Sequence, residues 1–197
     1  MRAKKLPASG SEPLFSDLYY GTPAGVDSYN CYAYALGSRR GRPGYKMQPG
    51  NLAHEPSDLD ASSCGVLTKR ALHDSRRRGI RTVPPGARCP RGSYKIMSFI
   101  DPGKDYHWYR QAGHVLYRMR PNDTLRSVAK ELRVPRSSVV SPTPAPRAGD
   151  LVFVRNANVF SHKQGLATGP LLRDKSGRVI PDPRKANRNY GDLNYTR

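Results

Sequence analysis

Glycine and proline interrupt this chain so often that no regular element can be long. There are 18 of each in 197 residues, and the longest run drawn only from Val, Leu, Ile, Met and Phe is the four-residue stretch Leu151–Val154. A helix that crosses a bilayer needs about 20 consecutive apolar residues, so no membrane partner is expected. Short strands and short helices joined by turns remain, which is an α+β chain. Its hydrophobic share of 37% supports one modest core or two small ones.

The charge is the second constraint. Lys and Arg total 34 against 15 Asp and Glu, a formal net charge of +19. That balance points to a polyanionic partner: nucleic acid bound without sequence preference, an anionic wall polymer, or the acidic surface of an assembly. Cations cluster between Lys69 and Arg91, with Asp74 the one acid among them. The three cysteines, Cys31, Cys64 and Cys89, form no CxxC pair. Neither a disulfide framework nor a zinc site is expected, and no metal or cofactor. Cys64 and Cys89 read as structural. The start, Met1-Arg-Ala-Lys-Lys, has no apolar stretch behind it. No secretion signal is therefore expected, and a virion or intracellular location follows.

Residues 1–26 read as an extended basic arm. Asp27 and Ser28 offer an N-cap for a helix over about 29–36, stopped by Gly37, with Cys31 in its first turn. Turn chemistry fills 38–62, and a second helix is predicted over 63–78. Residues 94–100 and 106–109 read as strands of a hairpin. Strand alternation then sets His107 on one face and Tyr106 and Trp108 on the other.

Residues 114–154 form a unit complete in itself. A strand over 115–119 leads to Asn122-Asp-Thr124, which caps a helix over Leu125–Leu132 with Leu125, Val128, Ala129 and Leu132 on one stripe. Pro135 opens a second short helix through Val140, a Pro-rich loop follows, and Leu151–Val154 closes the unit as a strand. This βααβ order, with Tyr117-Arg-Met-Arg-Pro-Asn-Asp-Thr-Leu125, Val128-Ala129 and Arg147-Ala-Gly-Asp-Leu-Val-Phe-Val154, resembles a LysM domain. Asn122 stands where that family prefers Gly. The resemblance implies an N-acetylglucosamine-containing glycan as ligand, held by Asn122, Asp123, Thr124 and Leu125 with Ser141 and Pro142.

Outside this unit lie Tyr29-Asn-Cys-Tyr-Ala-Tyr-Ala-Leu36, Asp105-Tyr-His-Trp-Tyr-Arg110, Phe160-Ser-His-Lys163 and Ala186-Asn-Arg-Asn-Tyr190. Together they resemble NlpC-type papain-like cysteine hydrolases. The resemblance implies an antiparallel sheet and a catalytic trio. Cys31 is the nucleophile at a helix start, His107 the base on a strand, and His162 the orienting residue on the next strand. The two histidines are 55 positions apart, too far for a hairpin loop; removing the 41 residues of 114–154 leaves 14. The LysM-like unit is therefore expected as an insertion in the loop of the catalytic hairpin, dividing the papain-like domain into 27–113 and 155–197. The chemistry implied is acyl transfer, with the thiolate of Cys31 favoured by the helix terminus and an imidazolium, and the Cys31 N–H as an oxyanion donor.

Three functional readings stand open. One is a virion-associated minor capsid or cementing protein that reuses both folds and contacts neighbouring virion proteins. The second is an active cysteine peptidase or amidase acting on cell-wall peptides and tethered to glycan. The third is a nonspecific nucleic-acid binder. The wall-active relatives carry a further apolar strand after the Tyr-rich tail, so an open sheet edge or a strand from a neighbouring chain is expected here.

Overall fold

The computed structural model describes residues 4–56, 63–74 and 79–196. The fold is α+β, with two four-stranded sheets and a few short helices. The larger unit is built on β2 (Ile96–Asp101), β3 (Asp105–Ala112), β7 (Val159–Lys163) and β8 (Pro170–Leu171), antiparallel throughout in the order β2-β3-β7-β8. The second sheet has the order β1-β4-β6-β5. Its strands are β1 (Leu14–Phe15), β4 (His114–Arg118), β5 (Val139–Val140) and β6 (Leu151–Val154).

The sheets share two crossing points. Gly113 separates β3 from β4, and its carbonyl accepts from the Asn158 N–H at 3.2 Å. The return crossing from β6 to β7 uses Asn156 and Asn158 at φ 52 and 43°, in the left-handed region that Asn tolerates better than most residues. Segment 114–154 therefore leaves the first sheet after β3 and returns at β7, and β3 and β7 pair directly with Tyr109 opposite His162. The spacing argument required that adjacency.

Within 114–154, α4 (Leu125–Leu132) begins at Thr124, whose Oγ1 accepts from the Ser127 N–H while the Ser127 Oγ accepts from the Thr124 N–H. Its apolar stripe, Leu125, Val128, Ala129 and Leu132, is buried against Val115, Val139, Val152 and Val154. One expectation fails here. The predicted second helix is a single 3₁₀ turn, Arg136–Ser138, followed by β5. Val139 pairs with Val154 and is buried; for two β-branched residues, sheet packing outweighs a helix end.

The predicted arm is also corrected: residues 4–26 are a packed strap. Leu6, Phe15 and Tyr20 are buried, β1 lies parallel to β4, and the Lys5 ammonium donates to the carbonyls of Leu132, Arg133 and Ala157. Three apolar side chains and one cation over carbonyls are enough to hold it. Asp27 and Ser28 end α1 (Pro23–Ser28) and do not cap the next helix. That helix, α2 (Cys31–Ala35), is capped by Asn30, whose Oδ1 accepts from the Ala33 N–H at 3.1 Å. The second predicted helix is α3 (Cys64–His73), capped by Ser63; residues 75–78 of the prediction lie outside the described residues. Cys64 is exposed in its first turn, so it has no packing role, whereas Cys89 is buried.

Removing buried atoms under α4 must cost more than removing its cap. Leu132→Ala is expected to lower stability by about 2–5 kcal/mol, and Thr124→Ala by about 1 kcal/mol. Urea unfolding of the two variants gives that order, and equal losses would contradict the packing described.

Candidate active site

Every residue of α2 is buried, and the surrounding side chains explain how a five-residue helix is held. The Tyr32 hydroxyl donates to Asp74 at 2.6 Å, and this buried carboxylate also accepts from the Gly50 and Ala53 N–H groups. Arg110 of β3 donates to the Tyr34 carbonyl at 3.1 Å, meeting the helix's carbonyl end with a cation. The hydroxyls of Tyr34 and Ser161 lie 2.7 Å apart, tying α2 to β7. Helix and strand pair are one rigid support for Cys31, His107 and His162.

Alternation along β3 places Tyr106 and Trp108 with α2, and turns His107 and Tyr109 to the opposite face. His162, across from Tyr109, shares that second face. Nε2 of His107 lies 2.9 Å from Nδ1 of His162, and Nε2 of His162 lies 2.9 Å from the Arg173 carbonyl oxygen. A carbonyl only accepts, so Nε2 of His162 carries a proton. Its Nδ1 is then the acceptor and Nε2 of His107 the donor. The remaining nitrogen, Nδ1 of His107, is left with a lone pair. Burial pushes both imidazoles down, His107 well below the usual range with help from His162, and His162 to about 4. Both are neutral at pH 7.

The sulfur of Cys31 reaches this strand from the other side. It lies 3.9 Å from the Tyr106 carbonyl oxygen, and the N–H groups of Trp108, Tyr32 and Cys31 itself are turned toward it. Gln111 N–H bonds Lys95 on the β2 side, so odd-numbered residues of β3 present their main chain to β2 and even-numbered ones to β7. The carbonyl of Tyr106 and the N–H of Trp108 thus face the β7 side, just past the end of pairing at Tyr109 and His162. The structure brings the two histidines into direct contact and sets the thiol against the main chain on both sides of His107. Among the described residues the hydrogen bond given by the thiol is to Tyr106, not to an imidazole.

A preformed thiolate–imidazolium pair is the expectation this site corrects. Burial, with Asp105 adding to it, pushes the Cys31 thiol up to about 12, and the three N–H groups only partly oppose this. A helix of five residues does not offset full burial. At rest the thiol and both imidazoles are neutral, with the sulfur on the α2 side of β3 and His107 on its opposite face.

Several contributors were not singled out from the sequence. Tyr195 covers His107 at 5.2 Å between ring centres and donates its hydroxyl to Asp105 at 2.8 Å; Tyr190 lies 6.1 Å from the same imidazole. The Tyr106 hydroxyl donates to Gln48 Oε1. Lys163, fully buried, donates to the carbonyls of Val26 and Gly165 at 2.8 and 2.7 Å, and burial lowers it to about 8. The Ser161-His-Lys163 run thus sends three consecutive side chains to α2, to His107 and to α1. A polar tripeptide wholly inside a strand is a sequence signal for such a junction. Tyr195 and the Arg173 carbonyl have no comparable local signature.

The residues expected to hold glycan lie elsewhere, in the second unit. Asn122 has φ 66°, a conformation that favours Gly and accepts Asn. Asp123 accepts from the Tyr117 hydroxyl at 2.8 Å and from Arg120, Thr124 caps α4, and Leu125 is core. Ser141 turns back on its own loop, accepting from the Thr143 N–H, and Pro142 follows it. Among the described residues no group of three or more His, Cys, Asp or Glu side chains is placed to hold a metal, and no helix is long and apolar enough to cross a membrane. Compared with family models, curated proteins and solved structures, the chain matches none.

The neutral histidines carry a pH dependence with a definite sign. In the unfolded chain each takes a proton below about 6.5, while His162 in the fold stays neutral to about 4. The unfolded state binds more protons in that window, so stability is complete above 6.5 and falls as pH drops to 4. His162 alone accounts for about 3 kcal/mol at pH 4. Urea unfolding at pH 7 and 4.5 is expected to show this loss, with a smaller difference in His162→Gln. Equal pH slopes would contradict the buried neutral pair.

Proposed function

We propose that this chain is a cysteine-dependent amide hydrolase of the papain-like, NlpC-type architecture, carried to glycan by a LysM-like unit. The observation that supports it best is the ordered relay from the Arg173 carbonyl through His162 to His107, which leaves Nδ1 of His107 as a base on the strand whose Tyr106 carbonyl the Cys31 sulfur approaches. A base with a lone pair fixed in place is what a neutral thiol needs. Nδ1 takes the S–H proton as the sulfur attacks the carbonyl carbon of an amide, so no charged pair has to be held in the resting core. The proton then passes from Nδ1 to the leaving amine, the C–N bond breaks, and a thioester remains on Cys31. Water, deprotonated by the same nitrogen, attacks the thioester, and the thiol is restored. The N–H groups of Cys31 and Trp108 are the oxyanion donors within reach.

Support for the LysM-like unit comes from the strand, helix and strand found over 114–154 and from the left-handed Asn122 at the turn where that family prefers Gly. An N-acetylglucosamine-containing glycan at the 122–125 and 141–142 turns would raise the local concentration of wall peptides.

A second reading is favoured by the sealing of the site. Cys31 and His107 are both buried, and Tyr195 closes over the imidazole. A sealed relay, a +19 charge and a packed N-terminal strap suit a minor capsid or cementing protein that retains the fold and contacts acidic neighbours. Hydrolysis separates the two. On wall-derived peptides, Cys31→Ala is expected to lower the rate at least 1,000-fold with retention on chitin oligomers unchanged. Pro142→Asp is expected to weaken that retention and leave hydrolysis of soluble peptides intact. A wild-type chain with no hydrolysis to lose favours the cementing role.

A further inference from the structure

The free edge of the first sheet lies in a groove that the chemistry at Cys31 does not use. β2 is the end strand of its sheet. Because Lys95 presents its main chain to β3, Ile96, Ser98 and Ile100 present theirs outward. Among the described residues none of these outward N–H or C=O groups has a main-chain partner. This edge opens on a cavity of about 640 Å³ between β2, α3 and residues 79–95, within the range of sites that hold ligands.

Three further features describe the occupant. The cavity wall is largely apolar, with Leu36, Ala71, Ile80 and Ile96. Trp108, 4% exposed, lines it, and its buried indole Nε1 has no hydrogen-bond partner. A buried donor without an acceptor is costly, so an acceptor supplied from outside gains the full value of that bond. The charged residues of the lining are Arg81, Lys95 and Arg184, with no acid among them. Arg184 is paired with Asp182 and Lys95 donates to the Pro85 and Ala87 carbonyls, so among the described residues Arg81 is the lining cation not engaged in this way. Unpaired strand edge, apolar wall, idle N–H donor and cationic lining match one chemistry.

We propose that this groove binds an extended peptide segment carrying acidic side chains, which adds as a strand to β2 and gives a carbonyl to the Trp108 indole. Main-chain bonds to Ile96, Ser98 and Ile100 supply affinity in a form that any extended peptide can use, and Arg81 selects for acidic sequence. The inference stands apart from the proposed hydrolase activity: the groove lies at β2 and the sulfur on the β7 side of β3.

The chain has one tryptophan, so its own fluorescence reports the groove. The probes are a six-residue peptide alternating Val and Glu, the same peptide with alternate backbone amides N-methylated, and a Val–Lys counterpart. The full chain is expected to show a saturable tryptophan shift with the Val–Glu peptide, weakened at least tenfold by N-methylation and absent with the Val–Lys peptide. Ser98→Pro removes one outward N–H at a strand edge, where proline is tolerated, and is expected to weaken binding at least tenfold with an unchanged circular dichroism spectrum. Arg81→Glu should weaken it as well. If Ser98→Pro does not fold, the N-methylated peptide on the unaltered chain remains decisive. No saturable shift, equal binding after N-methylation, or equal binding of the Val–Lys peptide would overturn the proposal.

Discussion

The pairing of β3 with β7 is the constraint on which the rest of the molecule depends. Its register, Tyr109 opposite His162, is closed across the 114–154 segment, and it puts two imidazole nitrogens 2.9 Å apart. A slip of one residue would turn His162 to the face of α2 and Ser161 to the face of His107. The neighbours of His162 guard against that slip. Ser161 meets the Tyr34 hydroxyl and Lys163 the Val26 carbonyl, both on the helical side of the sheet. The polar side chains that flank the histidine thus fix the register that makes the histidine useful.

Burial decides the chemistry within that frame. A charged imidazole or thiolate in a closed core loses more hydration than neighbouring dipoles return, so the groups stay neutral and are ordered by hydrogen bonds. The Arg173 carbonyl has the controlling part because it can only accept, and its one-way bond fixes both tautomers in turn. A carbonyl fixed by the fold governs a nitrogen two bonds further on.

Much of this was legible in the sequence, for physical reasons. The helix over Leu125–Leu132 and the strand Leu151–Val154 were legible because a full apolar stripe and a β-branched run leave one way to bury each. The adjacency of His107 and His162 was expected from the two resemblances together, since setting aside the 41 residues of 114–154 leaves 14 between them, and β3 and β7 do pair. Other features depend on distant groups. Cys31 has a helix-start context that reads as a thiolate site, and only the tertiary burial around it reverses that expectation. Residues 4–26 look like a polar arm until Leu6, Phe15 and Tyr20 meet partners far along the chain. Val139 and Val140 read as helix until β6 is beside them. The Arg173 carbonyl and Tyr195 could not be found locally, since one acts through its main chain and the other through a tail folded back on Asp105.

The central claim is that the relay leaves Nδ1 of His107 unprotonated. Long-range proton–nitrogen correlation spectra of the imidazoles at pH 7 test it most directly. The account predicts that His107 and His162 both carry their proton on Nε2, that both remain neutral as pH is lowered to 5, and that Nδ1 of His162 shows the shift of a hydrogen-bond acceptor. A proton on Nδ1 of His107, or an imidazolium at either residue at pH 7, would contradict it.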